Sequence, residues 1–494
     1  MKRSNNYING NRSTQRNLVR QIAAGFAAMI ACNHFVTMEQ IMRPTIFCLL
    51  AASVAFSAAS VGAAPKKNPD IEKIVQKISA KRIEATIRKL VGFETRNSLS
   101  ETASDTRGIG AARRWIKSEL DRCNAENGGR MKVEFDEHLA PVSARVAKPT
   151  PIVNIVATLP GEQAESRDRI YVVSGHYDSM RSTPIDPDGL APGANDDASG
   201  TAAVIEMACV MSKYKFNATL IFMTVAGEEQ GLLGSTFFAK AAKARGLNIA
   251  GMITNDIIGN TKGSDGKVVR DRVRLFAEGI PPLKEMPEEW LTLIRTGGEN
   301  DSPARQLARF IKENGERYVS KMNVDLIYRR DRYLRGGDHF PFLDAGYAAV
   351  RMTEPNEDFR HQHQNVRVEN GVQFGDLPEF IDFAYTADVT RVNAAALASL
   401  ALGPAAPQEV LMENMVLDNN TTLRWTASAE PNVAGYRVVW RETTAPFWQK
   451  FEDVEKVTRT TIYGVSKDNV VFGLQALDKD GNASVAVFPR PFRR

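Results

Sequence analysis

Two adjacent aspartates, Asp196 and Asp197, lie between glycines in the segment GANDDASG, residues 193–200. The apolar run at 201–211 predicts a helix, so both carboxylates belong to a sharp turn near a helix start. Two negative charges in such a turn are costly unless a cation lies beside them. The simpler alternative is that one of these aspartates only caps the helix.

Other side chains that can bind metals follow short apolar runs, which are typical of buried strands. Three such runs end at these side chains: 169–175 at His176 and Asp178, 218–225 at Glu228 and Glu229, and 249–254 at Asp256. In an open α/β sheet, ligands bind at the edge formed by the carboxyl ends of the strands. We therefore expect all these side chains to meet at one edge.

These residues, with Asp196 and a histidine from later in the chain, form a nitrogen and oxygen ligand set without thiolate. Such a set suits zinc or another divalent first-row metal. So many carboxylates would repel one another unless metal charge neutralised them, and two ions about 3.5–4 Å apart with one bridging carboxylate would use the whole set. Asp178, two residues after His176, is suited to accept the imidazole N–H and fix its tautomer.

The elements that must position these side chains form a β-α-β alternation over residues 170–256, which predicts an α/β domain with a mixed, mostly parallel sheet flanked by helices. Further strands are predicted at 131–135, 152–159 and 348–352, and helices at 70–90, 110–123 and 380–402. Residues 260–337 are expected to form helices and loops on the substrate side of the cleft, including a helix at 303–314.

The composition of the two ends predicts further segments. Residues 1–64 are predicted to be a leader with a signal peptide whose natural start is Met42, because an apolar run at 45–59 precedes a small-residue cleavage site. The α/β domain is expected at 65–403, followed by the linker GPAAP at 403–407. Residues 404–494 contain short alternating strands and predict a small all-β sandwich that resembles a fibronectin type III module, with Trp425 and Tyr436 in its core.

The charge, the leader and the cysteines indicate where the protein is located and which partners it binds. The net charge is +5, from 63 basic and 58 acidic residues, and the sequence contains no basic block that would suit nucleic acid. The leader predicts a secreted or periplasmic protein that is not integral to a membrane after signal cleavage. Cys32 and Cys48 belong to the leader, and Cys123 and Cys209 are expected to be small buried hydrophobic residues rather than a disulfide or metal ligands.

Four motifs, in this order, resemble those of the M28 zinc aminopeptidases. They are His176-Tyr177-Asp178, the Gly-Ala-Asn-Asp196 turn, Gly227-Glu228-Glu229-Gln230-Gly231 and Asn255-Asp256. The resemblance covers residues 70–402 and implies a fold of the zinc exopeptidase type. It also implies two Zn²⁺ ions as cofactors.

The resemblance implies a role for each motif residue. Asp196 would bridge the two zinc ions, and His176 and Asp256 would complete one site. Glu229 and a late histidine would complete the other site. Glu228 would be the general base that takes a proton from water and passes it to the leaving amine.

The late histidine departs from the family pattern, in which a histidine follows tyrosine and precedes threonine. Here the segment at 359–365 has the sequence FRHQHQN. We favour His363 as the ligand over His361, which would then support it. His339 follows a double glycine near the cleft, and a structural role is favoured for it over metal binding.

The expected function is a secreted metallo-exopeptidase that hydrolyses the first peptide bond of peptides with a free amino terminus. Relatives that share much of the ligand set include glutaminyl cyclases and carboxypeptidases, so fold and ligands do not by themselves name the substrate. A third alternative is a catalytically inactive binding or adhesion protein whose sandwich is the working part.

Overall fold

A sheet of eight strands runs through the centre of the computed structural model, which describes residues 67–492. The predicted leader, with its start at Met42, lies outside the described residues. None of the helices in the described range is both long and apolar enough to cross a bilayer. The strands of the central sheet are β1 Lys132–Ala140, β2 Thr150–Leu159, β3 Arg169–His176, β4 Thr219–Val225, β5 Asn248–Asn255, β6 Arg272–Ala277, β7 Asn323–Ile327 and β8 Ala349–Thr353.

The sheet has the strand order β1-β2-β4-β3-β5-β8-β6-β7 and mixes parallel and antiparallel pairs. The central strands β4, β3, β5 and β8 are mutually parallel. Strand β2 pairs antiparallel with both β1 and β4, β6 pairs antiparallel with β8, and β7 runs parallel to β6. The mixed α/β sheet predicted from the sequence is therefore present, and its parallel centre directs the ends of β3, β4, β5 and β8 to one edge.

Helices cover both faces of this sheet. They are α1 Pro69–Lys77, α2 Ala80–Val91, α3 Gly108–Glu126, α4 Ala198–Met211, α5 Leu233–Ala244, α6 Glu288–Arg295, α7 Pro303–Tyr318, α8 His339–Asp344 and α9 Phe383–Leu402. Helix α4 is buried along all but one of its residues, because its small and apolar side chains pack between the sheet and the neighbouring helices. This burial fixes the start of α4, where the aspartate pair lies.

The segment at 260–337 differs from its prediction. Besides the expected helix, α7, it contributes the strands β6 and β7 to the central sheet. Strand β6 has only six residues and alternates charged and apolar side chains over the first four, and β7 is a five-residue edge strand whose side chains are mostly half-exposed. Strands this short carry little periodic signal, and their pairing partners are distant in sequence.

The expectation for the two cysteines of the α/β domain is wrong. Cys123 and Cys209 form a disulfide with Cα atoms 5.0 Å apart. Cys123 lies on α3 and Cys209 on α4, which pack side by side. A sequence separation of 86 residues gave no indication of this proximity.

A short antiparallel hairpin of β9 Arg367–Glu369 and β10 Val372–Phe374 precedes α9, and two small sheets follow it. Their strands are β11 Gln408–Glu413, β12 Thr421–Thr426, β13 Val433–Glu442, β14 Lys450–Val454, β15 Arg459–Ile462, β16 Val470–Asp478 and β17 Arg490–Phe492. They form the sheets β15-β12-β11-β17 and β14-β13-β16, which share one core. Trp425 and Tyr436 meet in this core with ring centroids 5.0 Å apart. The fibronectin type III resemblance stays a prediction.

Candidate metal centre

Four loops converge at the carboxyl edge of the parallel strands. His176 is the last residue of β3, Glu228 and Glu229 follow β4, and Asp256 follows β5. Asp196 lies in the turn before α4. These loops are adjacent because β4, β3 and β5 are parallel neighbours in the sheet. The sequence predicted their common edge but not this strand order.

Asp196 lies between two histidines. Its Oδ1 is 3.1 Å from Nε2 of His176, and its Oδ2 is 2.9 Å from Nε2 of His363. Asp256 Oδ1 is 4.0 Å from the same His176 nitrogen, and Glu229 Oε2 is 3.3 Å from the His363 nitrogen. Two groups of potential ligands therefore share one carboxylate: the Asp256 trio (His176, Asp196 and Asp256) and the Glu229 trio (Asp196, Glu229 and His363).

The ligand atoms within each trio all lie within 4.8 Å of one another. Glu228 belongs to neither trio, but its carboxylate lies within the same distance of His176 and Glu229. Its side chain is half-buried, whereas Glu229 is buried. The neighbouring glutamates therefore differ in access to the cleft, and only Glu229 belongs to a trio.

The structure brings His363 into the cluster and leaves His361 outside it. The His361 ring stacks on Phe380 with centroids 3.6 Å apart and an interplanar angle of 10°. Its Nε2 lies 3.9 Å from Asp358. Stacking on one side and a carboxylate on the other hold the His361 ring away from Asp196 and Glu229.

His339 also lies outside both trios. Its ring is fully buried, and Nε2–H donates to the carbonyl of Arg330 at 2.8 Å. Burial lowers the pKa of His339 to about 4. The preceding Asp338 is buried beside the Asp256 trio, where burial and the Asp178 and Asp256 carboxylates raise its pKa to about 7.

Asp197 and Asp178 hold the backbone around the trios. Asp197 caps α4 by accepting the Gly200 N–H at 2.9 Å, and it also accepts the N–H of His176 at 3.0 Å. The carboxylate of Asp178 accepts the backbone N–H groups of Glu228 and Glu229 at 3.3 and 3.2 Å.

The prediction for Asp178 needs a correction in its geometry. Nδ1 of His176 lies 3.1 Å from the carbonyl oxygen of Asp178 but 3.5 Å from its carboxylate. The backbone of Asp178 is therefore the closer partner of the imidazole. Its carboxylate instead accepts the backbone N–H groups of Glu228 and Glu229.

Close packing at the start of α4 requires a small residue. A Cβ added at Gly200 would lie 2.3 Å from the carbonyl oxygen of Asn255 and 2.4 Å from Oδ2 of Asp197. Because Asn255 precedes Asp256, a larger residue here would push the helix start away from the Asp256 loop. Gly200 therefore keeps two of the site's loops together.

Sequence reasoning missed two residues that fix the Asp196 turn. Asp376 accepts the N–H of Asn195 at 2.9 Å and the N–H of Asp196 at 2.7 Å. The buried Arg96 donates to carbonyl oxygens of two of the site's loops, at Tyr177 (2.7 Å) and Gly193 (2.8 Å). Both residues are distant in sequence from the turn and belong to no motif, so nothing in the sequence marked them.

A third residue that was missed, Arg351, lies at the centre of β8 and contacts Asp256. Here the sequence did carry a signal, because a charged residue interrupts the otherwise apolar strand core AVRM. A charge in a buried strand requires a partner of opposite charge.

The charges of the cluster fit a divalent cation. Burial raises the pKa of Glu228 well above its usual range, and the Glu229 and Asp256 carboxylates add to this effect. His363 and His176 outweigh burial and hold the pKa of Asp196 well below its usual range. The buried Oε1 of Glu229 has no hydrogen-bond partner within residues 67–492. Crowded carboxylates, an open oxygen and two imidazoles without thiolate form a set that suits zinc.

A family profile and curated relatives agree with this chemistry. The profile described as Peptidase family M28 matches residues 154–367, which contain both trios and Glu228. A probable zinc metalloprotease of Leptosphaeria maculans is 48% identical over 427 residues, covering 86% of this chain and 98% of that protein. Another, from Pyrenophora teres f. teres, is 46% identical over 444 residues, covering 89% and 91%. The solved LapA aminopeptidase of Legionella pneumophila has a TM-score of 0.48 and 17% identity, covering 69% of this chain and 77% of that one.

Proposed function

The chain belongs to peptidase family M28, and on this premise we propose that it is a secreted aminopeptidase that uses two zinc ions. One ion would be held by the Asp256 trio and the other by the Glu229 trio. The observation that carries the proposal is that the two oxygens of Asp196 face different histidines, at 3.1 and 2.9 Å. A carboxylate in that position can bridge two metals, as dinuclear hydrolytic sites require.

Bound zinc supplies Lewis acidity, which polarises a carbonyl and makes water more acidic. The remaining chemistry belongs to Glu228. Its half-buried carboxylate lies beside both trios and outside either ligand set. Glu228 takes a proton from the attacking water as the new C–O bond forms, and it then gives that proton to the amide nitrogen, so that the C–N bond breaks and the amine leaves.

Local charge favours an ammonium group over a carboxylate as the substrate terminus. Two carboxylates beside the cluster, Glu228 and Asp338, are ligands of neither ion in the proposal. A carboxylate can pair with the ammonium group of a free amino terminus, whereas it repels a free carboxyl terminus. This supports an aminopeptidase over a carboxypeptidase.

The proposal includes an extracellular location. Disulfides persist in oxidising compartments and are rare in the cytosol. The Cys123–Cys209 disulfide therefore supports the secretion that the leader predicts. Peptides with free amino termini are the proposed partners, and neither nucleic acid nor a membrane is expected to be one.

The decisive experiment compares Glu228→Gln with Glu229→Gln. We expect Glu228→Gln to retain both zinc ions and to lose about 10²- to 10⁴-fold in kcat, because it removes only the proton carrier. Glu229→Gln is the matched control and should also lose zinc, since it removes a ligand. Zinc content by mass spectrometry and hydrolysis of amino-acid anilides measure the two effects. Activity near that of the wild type in Glu228→Gln would disprove the assigned base.

Substrate panels separate the alternatives. The proposal predicts release of the first residue from anilides with a free amino group, loss of activity after N-acetylation, and loss of activity with chelator. Cyclisation of amino-terminal glutamine with release of ammonia, and no anilide hydrolysis, would identify a glutaminyl cyclase instead. Absence of both bound zinc and turnover would identify an inactive binding protein.

A further inference from the structure

A buried arginine contacts one of the proposed ligand groups and not the other. Arg351 is completely buried in β8, and its Nη2 lies 2.9 Å from Oδ1 of Asp256. Its Nη1 lies 3.0 Å from Oδ2 of Asp331 and donates to the carbonyl of Gly336 at 2.8 Å. The guanidinium is therefore fixed between two aspartates, one of which belongs to the Asp256 trio.

The arginine uses the same carboxylate oxygen that faces the metal position. Oδ1 of Asp256 is the atom that lies 4.0 Å from Nε2 of His176. The other oxygen, Oδ2, packs against the backbone of Gly337, where an added Cβ would approach it to 3.2 Å. Oδ1 of Asp256 therefore faces both the guanidinium and His176, on whose side a metal ion would bind.

The Glu229 trio has no such competitor. Within residues 67–492, neither the Asp196 nor the Glu229 carboxylate forms an ion pair with a lysine or arginine. Arg145 approaches Glu229 but donates to its backbone carbonyl, at 2.9 Å. The full charge of the Glu229 carboxylate is available to a cation.

We propose that Arg351 makes the two zinc positions unequal, so that the Glu229 trio holds the tighter ion and the Asp256 trio the weaker one. This rests on the two-zinc site of the proposed function. A guanidinium on the ligating oxygen withdraws negative charge from it, and it repels a divalent ion bound to the same atom. Arg351 is thus a positioning residue that sets the affinity of one metal position and does not touch substrate.

The first test is a zinc titration of the metal-free, full-length protein in competition with a chelator of known affinity. We expect two dissociation constants that differ by about 10- to 100-fold or more. His363→Ala should abolish the tighter constant, and His176→Ala should abolish the weaker one while leaving a tightly held zinc. Equal constants in the wild type, or the opposite assignment to the two variants, would overturn the proposal.

The second test removes the competing charge. Arg351→Met combined with Asp331→Asn deletes both members of the buried ion pair, so that Asp331 is not left uncompensated. The weaker constant should tighten about 10-fold or more, while the tighter one stays unchanged. Arg351→Lys keeps the charge and is the matched control, with both constants near their wild-type values.

A double variant whose two constants differ as much as those of the wild type would disprove the role of Arg351. If the double variant fails to fold, as judged by circular dichroism, Arg351→Gln replaces it, because it removes the charge but keeps a hydrogen-bond donor beside Asp256; it should tighten the weaker constant in the same way, and an unchanged difference would disprove the role of Arg351. The titration uses no substrate, so it separates this inference from the proposed reaction. A protein that binds two zinc ions unequally but releases no amino-terminal residue would refute only the aminopeptidase.

Discussion

The disulfide between α3 and α4 should contribute strongly to stability without controlling the metal site. Cys123 and Cys209 are separated by 86 residues in sequence. For a closed loop of that length, the chain-entropy relation gives about 4.5 kcal/mol of stabilisation at 25 °C. Cys209 is 12 residues from the cap Asp197, which corresponds to about 18 Å along a helix. We therefore expect a large loss of stability and an unchanged zinc affinity when the bond is broken.

Urea unfolding of the oxidised and the reduced wild-type protein measures this effect with every side chain retained. The metal-free protein is used so that zinc does not add to the stability of either form. The variant Cys123→Ala with Cys209→Ala is the matched comparison, because alanine places no unpaired hydroxyl in the buried Cys123 position. It should be destabilised by a similar amount in both oxidising and reducing buffer.

Two results would refute this reasoning. If reduction lowers the free energy of unfolding by less than about 1 kcal/mol, the bond does not restrict the unfolded chain as the loop-length argument requires. If reduction instead weakens zinc binding more than tenfold, the far end of α4 is coupled to its metal-binding start. A chain made in a reducing cytosol would then lack both stability and activity.

Two further predictions concern buried groups near the site. His339→Gln should remove a loss of stability that the wild type suffers as the pH falls from about 6.5 towards 4. The imidazole of His339 binds a proton near pH 6.5 in the unfolded chain but only near pH 4 in the fold, so the free energy of unfolding falls by up to about 3 kcal/mol over this range. Urea unfolding in chelator at several pH values measures this change. Asp376→Ala leaves the N–H groups of Asn195 and Asp196 without their acceptor and should weaken zinc binding about 10- to 100-fold. Chelator competition checks this, and an unchanged affinity would contradict the anchoring role.

The sequence predicted the parts of the site that local pattern controls. His176, Glu228, Glu229 and Asp256 each follow an apolar run at a strand end, so their common edge could be inferred before the strand order was known. The cap at Asp197 was predictable for the same reason, since acidic residues at a helix start have a local signature. These predictions depend on residues that are neighbours along the chain.

Long-range contacts were not predictable from the same patterns. The pairing of β6 with β8 and the bond between Cys123 and Cys209 both join segments that are far apart in sequence. Asp376 acts on Asp196 from 180 residues away. No periodicity specifies such partners, because they are selected by the packing of whole elements.

His361 and His363 show why the presence of a histidine in the sequence did not by itself identify the proposed ligand. Both side chains come from the same short turn, and their neighbours decide which reaches Asp196. His361 is held by the Phe380 ring, while His363 reaches the two carboxylates of its trio.

The segment that contains this turn also carries Asp376, which holds the backbone of Asp196. One stretch of chain therefore supplies a proposed ligand, His363, and the anchor of the Asp196 backbone. Arg335 and Arg332 hold its first part through the carboxylate of Glu357, at 3.3 and 2.9 Å. Because His363 and Asp376 act on the same turn from opposite ends of this stretch, its displacement would open the Glu229 trio and release the Asp196 turn together. The metal centre is therefore intact only when this segment is ordered.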